Sequence, residues 1–276
     1  MLNVDFLKEN GVDIDKSLEL FGDMQTYNDT VGEFLLGIAQ KIPKLEEYKN
    51  AKDMNNYAIY VHSLKSDAKY FGFTKLAELA YNQEMKSKAG DIYYIYDTYD
   101  ELMNEVDRLS HVVKQYLGKE EIENNVDNQE TELLEDVPGI ASIGEVYSEP
   151  TILVADDSNI VRNFVSRIFS NTYKVGVAKD GKEALEIIKA NQGNNYIKAI
   201  LLDLNMPNVD GFAVLDYMMQ NQLFTEMPVS IISGDSSKET IDKAFKYHIV
   251  DMIKKPFNDI DIKRVVEKTI YFKDLN

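Results

Sequence analysis

Three aspartates, a serine and a lysine in the C-terminal half of the chain stand where a phosphoryl group could be bound and exchanged. Asp156 and Asp157 close the apolar run ThrIleLeuValAla at 151–155, and Asp203 closes AlaIleLeuLeu at 199–202. Ser233 follows ValSerIleIle at 229–232, and Lys255 precedes Pro256. Short continuous apolar runs that alternate with helical segments predict a parallel sheet buried on both faces. In such a sheet the strand C-termini converge on one edge, where ligands bind. Each pair of carboxylates about 4 Å apart there costs ~4 kcal/mol at an effective dielectric near 20, so the cluster does not serve stability. A hard divalent cation offsets that repulsion, and Mg²⁺ accepts a few carboxylates together with water and phosphate oxygens. Asp203 is the candidate nucleophile for an acyl phosphate. Lys255 would pair with the phosphoryl oxygens and the Ser233 hydroxyl would hydrogen-bond one of them. The Lys255–Pro256 bond is a candidate cis peptide that would aim the lysine. Taken singly, an acid at a strand end caps the next helix and Ser233 is a turn residue. The five positions together specify a site.

The paired acids at 156–157, the run AspLeuAsnMetProAsnValAspGly at 203–211, SerGlyAsp at 233–235 and LysLysProPhe at 254–257 resemble the response-regulator receiver family over residues 150–276. The resemblance implies a flavodoxin-like α/β fold with parallel strand order 2-1-3-4-5. It also implies Mg²⁺ held by Asp156, Asp157, Asp203 and the backbone carbonyl of Asn205. One position departs from the pattern. Three residues before the lysine, where receivers carry Tyr or Phe, stands Met252. Methionine is flexible and apolar, which puts an aromatic switch coupled to Ser233 in question.

The N-terminal half offers a second candidate. Apolar residues recur at helical spacing in four stretches: Phe34 to Ile42, Tyr57 to Phe71, a third beginning at Leu76, and Tyr93 to Leu117. Turns are expected at Pro43, Gly72–Thr74 and Gly90–Asp91, and four helices so connected should pack as an antiparallel bundle. If Tyr57, Val61, Leu64, Ala68 and Phe71 face the core, His62 is rotated by about 135° from them, toward solvent. Lys65, Ser66 and Lys69 follow it at i+3, i+4 and i+7. A nucleophilic histidine needs a reachable ring nitrogen, no bulky cover and positive charge for an incoming phosphoryl group. His111 and His248 lack such a setting, and three scattered histidines give no metal-ligand spacing.

HisSerLeuLys at 62–65, with Gly72, Leu76 and Glu84 beyond it, resembles the signature of histidine-containing phosphotransfer (HPt) domains over most of residues 10–118. The resemblance implies a four-helix bundle with a phosphorylatable histidine on its second helix. That family usually places Gly four residues after the histidine; here it is Ser66, which is small enough to leave the imidazole reachable.

The elements that must position these residues fall into an all-α domain over 1–118, an acidic linker over 119–149 and an α/β domain over 150–276. The formal net charge is −17, and residues 119–149 hold ten acids and one lysine. Over half of the charge thus lies in a segment with no sustained apolar period, read as a solvated tether. LeuLeu at 133–134 and the stretch from Val137 to Val146 could dock on a neighbouring domain. As a flexible coil, its 31 residues would span ~30 Å and hold the two halves at a millimolar-scale local concentration. An acidic chain repels phosphate backbones, so direct nucleic-acid binding is not expected. No apolar run reaches the ~20 residues needed to span a bilayer. The absence of cysteine and of a secretory n-region and h-region fits a cytoplasmic protein.

The function expected from these features is a phosphorelay carrier rather than an enzyme, exchanging phosphoryl groups with a sensor histidine kinase or with other receiver and HPt domains. A scaffold that works without phosphorylation is the alternative, and a phosphatase of partner receivers a further one. Ile160, Phe164 and the Pro256–Phe257 loop are expected to form an apolar docking patch for a bundle helix.

Overall fold

The computed structural model describes residues 3–119, 140–141, 145–235 and 237–275. The chain divides into two compact units, Met1–Val137 and Pro138–Asn276.

The described part of the first unit is helical: α1 (Val4–Glu9), α2 (Ile14–Phe21), α3 (Met24–Asn50), α4 (Met54–Tyr70), α5 (Thr74–Lys88) and α6 (Ile92–Tyr116). Asp23, Asp53 and Asp91 start α3, α4 and α6, each carboxylate accepting the amide hydrogen of the residue three positions on, at 2.8, 3.1 and 3.2 Å. Such caps satisfy amides that the helix leaves without partners. Helix α3 packs on α4 and α6, and α5 packs on the same two, so the four long helices close a ring. The expected apolar stripes fill its centre, with Phe34, Tyr57, Val61, Leu64, Leu76, Leu102, Val106 and Leu109 all buried.

Two local expectations fail. Pro43 ends no helix; it lies inside α3, which runs on to Asn50. Proline removes one i→i−4 bond, but buried Lys41 and Leu45 on either side tie the segment to the bundle. Lys41 pairs with Asp67 of α4 as a buried ion pair. The second failure concerns α4, which touches α2, α3 and α5 rather than exposing one face.

The α4–α5 turn is closed by Gly72, whose φ is +71°. Its carbonyl accepts the Asp13 amide at 2.9 Å. A Cβ here would run into the Asp13 carbonyl oxygen, so the turn admits glycine for both conformation and space. Gly90 has the same φ of +71° but open surroundings.

The second unit contains β1 (Ile140–Ala141), β2 (Thr151–Ala155), α7 (Asn159–Phe169), β3 (Lys174–Ala178), α8 (Gly181–Ala190), β4 (Ile197–Asp203), α9 (Gly211–Gln220), β5 (Val229–Ser233), α10 (Lys238–Ala244), β6 (Asp251–Lys254) and α11 (Asp259–Leu275). All strand pairs are parallel, in the order β1-β3-β2-β4-β5-β6. From β2 onward this is the expected 2-1-3-4-5 order. β2 and β5 are buried along their whole length, as strands covered on both faces must be.

The end of the expected linker belongs to this unit. Ile140 and Ala141 pair with Val175 and Gly176. Tyr147 is buried, and its amide donates to Asn191 Oδ1 at 2.6 Å. Asn191 Nδ2 donates in turn to the Glu145 carbonyl at 2.9 Å. The Tyr147 ring fills the space that the missing Cβ of Gly176 leaves. LeuLeu at 133–134 lies outside the described residues. Among the described residues no helix is long and apolar enough to cross a membrane.

Gly72→Ala should cost about 3 kcal/mol or more in urea unfolding of the helical unit, and Gly90→Ala about 1 kcal/mol, since only the former adds a collision to the left-handed backbone. Equal losses would show that the Asp13 contact contributes nothing.

Candidate functional site

The sheet delivers the five expected residues to one edge. β2 ends one residue before Asp156, β4 ends on Asp203, β5 ends on Ser233, and Lys255 follows β6. Oxygen atoms of Asp156, Asp157 and Asp203 lie within 4.8 Å of one another. Asp156, Asp203, Ser233 and Lys255 are buried, and Asp157 is half-buried. Lys255 Nζ reaches Asp203 Oδ2 at 2.5 Å and Asp156 Oδ2 at 2.6 Å. The Lys255–Pro256 bond is cis. Ser233 Oγ accepts the Asp235 amide at 3.1 Å, and the Ser233 carbonyl accepts the Lys255 amide at 2.8 Å.

Three carboxylates face one ammonium, an excess of negative charge. Burial, reinforced by the charge of Asp203 and only partly opposed by Lys255, pushes Asp156 up to about 6. For Lys255, burial works to lower the pKa, but Asp156 and Asp203 hold it well above the usual lysine range. The all-oxygen donors and unbalanced charge fit a hard divalent cation.

Other contacts at this edge had no motif to announce them. Arg162 Nη1 donates to the Asp156 carbonyl at 2.5 Å. Asn208 Nδ2 donates to Asp180 Oδ2 at 2.7 Å, and the Gly181 amide donates to the Val209 carbonyl at 3.0 Å. The loop after Asp203 is thereby tied to the loop after β3. The only sequence signal was AspGly at 180–181, an acid at a strand end like those at 156 and 203.

The second expected site sits on α4. His62 is not turned to solvent: it is only 2% exposed. α4 is covered on more than its apolar stripe, because α5 lies against the histidine side as well. His62 Nδ1 lies 2.8 Å from Glu84 Oε1. Lys65 is buried rather than open, its ammonium donating to Glu84 Oε2 at 2.5 Å. Lys88 donates to Glu84 Oε1 at 2.6 Å. Burial tends to raise the Glu84 pKa, but His62 and Lys65 hold it well below the usual carboxylate range. Ser66 is buried and Lys69 half-buried. His62 Nε2, Ser63 Oγ and Ser66 Oγ are buried without a hydrogen-bond partner among the described residues. His111 and His248 are exposed, the first bonding the Asp107 carbonyl at 2.8 Å and the second edge-on to Phe224.

The family model for the response regulator receiver domain matches residues 152–267. Residues 152–267 are a response regulator receiver domain. The probable methanogenesis regulatory protein FilR2 of Methanothrix harundinacea is 29% identical over 122 residues, covering 42% of this chain and 79% of its own. The two-component response regulator ORR3 of Oryza sativa subsp. indica is 29% identical over 123 residues, covering 44% of this chain and 92% of its own. The solved receiver domain of the Francisella response regulator 1452 is 32% identical with a TM-score of 0.39, covering 46% of this chain and 100% of that one.

Receiver domains generally bind Mg²⁺ at an acidic cluster of the kind Asp156, Asp157 and Asp203 form. The receiver corrects the expected docking patch. Ile160, Phe164 and Phe257 are buried, with the Phe164 and Phe257 rings 6.2 Å apart. One turn apart on α7, Ile160 and Phe164 are covered together and belong to the buried core of the unit. Met252 is half-buried and packs against the core.

Lys255→Met should cost about 3–5 kcal/mol of receiver stability in EDTA, because it leaves buried acids without a counter-charge. Mg²⁺ should then raise the melting temperature of the variant by more than that of the wild type. Equal shifts in thermal melts would mean that the acids do not share a cation.

Proposed function

We propose that this protein is a carrier in a histidine–aspartate phosphorelay, accepting a phosphoryl group on Asp203 and exchanging it with a histidine, with His62 as this chain's own histidine carrier. The observation that carries the reading is the pairing of buried Asp203 with Lys255 beside Asp156 and Asp157. Transfer to the receiver forms an O–P bond from an Asp203 carboxylate oxygen as the donor's N–P bond breaks, the leaving nitrogen keeping the electron pair. Lys255, already at Asp203 Oδ2, is placed to pair with the phosphoryl oxygens, and the Ser233 hydroxyl to hydrogen-bond one of them. Asp156, Asp157, Asp203 and the Asn205 carbonyl would hold Mg²⁺, which would supply charge to offset those oxygens.

For the helical unit, the resemblance to HPt domains is supported by the Glu84 contact. A carboxylate at Nδ1 keeps a proton there, so Nε2 presents the lone pair a nucleophile needs. Phosphoryl exchange at Nε2 requires the covered ring to be exposed. Burial of that ring favours a second reading, in which the bundle recruits a kinase or another receiver without carrying phosphoryl itself. Partners in either case are histidine kinases and other receivers, and the acidic charge of the chain disfavours nucleic acid.

Acetyl phosphate with Mg²⁺ tests the proposal on the full chain. The wild type should gain a base-labile label at Asp203 and then an acid-labile, base-stable one at His62. Asp203→Ala should abolish both, and His62→Gln only the second. Full labelling of Asp203→Ala would refute the receiver assignment; a base-stable label that never forms, with partner binding intact, would establish the recruiting role instead.

A further inference from the structure

Five hydroxyls inside the helices of this protein bond back to the carbonyl four residues earlier, whereas Ser63 and Ser66 of α4 do not. Thr30 donates to Thr26 at 2.7 Å, Thr98 to Tyr94 at 2.8 Å, Ser110 to Val106 at 2.8 Å, Ser166 to Arg162 at 2.8 Å and Thr269 to Val265 at 2.7 Å. The Ser66 hydroxyl is buried with no partner among the described residues, although the carbonyl four residues earlier, that of His62, belongs to its own helix. A buried hydroxyl without a partner calls for an explanation.

The surroundings supply one. Residues four apart on a helix share a face, so the Ser66 side chain neighbours the His62 imidazole. Nε2 of that ring is likewise buried and without a partner. With Nδ1 engaged by Glu84, a group entering the site bonds to Nε2. One carboxylate, Glu84, faces two ammonium groups, Lys65 and Lys88, so the local balance suits an added anion.

We propose that Ser66 is a phosphoryl-binding residue, its hydroxyl donating to an oxygen of the phosphoryl group carried on His62 Nε2. The inference rests on the reading of His62 as a carrier. In the loading step the Nε2 lone pair forms an N–P bond while the donor's bond to phosphorus breaks, the leaving atom keeping that electron pair. The ring, which retains its Nδ1 proton, then carries a positive charge facing the Glu84 carboxylate. Ser66 adds a hydrogen bond to a charged acceptor, stronger than one between neutral groups. A glycine at this position would leave the ring as reachable and supply no donor.

The test uses the full chain carrying Asp203→Ala, so that the receiver takes no label, with phosphoramidate as the small phosphoryl donor. The base-stable label at His62 is read as the plateau fraction at fixed donor concentration and as a ³¹P chemical shift. Ser66→Ala and Ser66→Gly should each lower the plateau by about five- to tenfold and move the shift, while Ser66→Thr restores both. Ser63→Ala, which removes the neighbouring buried hydroxyl, should leave both unchanged. A Ser66→Ala plateau within twofold of the parent, or a Ser66→Gly plateau above it, would show that this position governs access alone and would overturn the inference while the carrier reading stands. No label in the Asp203→Ala parent would overturn the carrier reading, and the role of Ser66 with it.

Discussion

The receiver is organised around an electrostatic debt at the sheet edge. Two strand ends bring three acids into a space that a single ammonium, Lys255, only partly neutralises. Buried like charges are tolerated only where something offsets them. The surrounding loops accordingly hold the acids by hydrogen bonds rather than by apolar packing. The Ser158 amide donates to Asp156, the Asn205 amide to Asp203, and Arg162 to the carbonyl of Asp156 itself. The all-oxygen donors and excess negative charge of a site held in this way suit a hard cation.

The helical unit treats charge differently. Glu84 gathers His62, Lys65 and Lys88, so its carboxylate is fully engaged by cations and by an imidazole. Lys41 and Asp67 form a separate buried pair between α3 and α4. Both arrangements join adjacent helices through polar contacts, which fix register in a way interchangeable apolar side chains do not. The histidine that sequence reading placed on an open face is thus part of the contact between α4 and α5.

The two halves were unequally legible in the sequence. Receiver strands are short, continuous apolar runs, and each functional acid stands directly at or beside a strand end, so position along the chain predicts position in space. Asp156, Asp203, Ser233 and Lys255 needed no further information. A helix offers no comparable marker, because the period of 3.6 reveals a buried stripe and not how many neighbours surround it. α4 has three, and His62, Lys65 and Ser66 are covered in consequence. Pro43 misled for a related reason: proline removes one hydrogen bond, and the packing of Lys41 and Leu45 outweighs that loss. Ile160 and Phe164 adjoin a charged site, which suggests surface, yet both are buried, and Phe164 lies against Phe257.

The anchoring of Tyr147 moves the functional start of the receiver upstream of its first long strand. A fragment cut at Pro150 would lose a fully covered aromatic ring, leave a trough over Gly176 and strip Asn191 of two backbone partners. Mechanical load arriving along the acidic segment would be borne by β3 and α8 before it reached β2. The strand that leads into the paired acids thus begins behind an anchored segment, with Glu145 and Tyr147 already tied to Asn191.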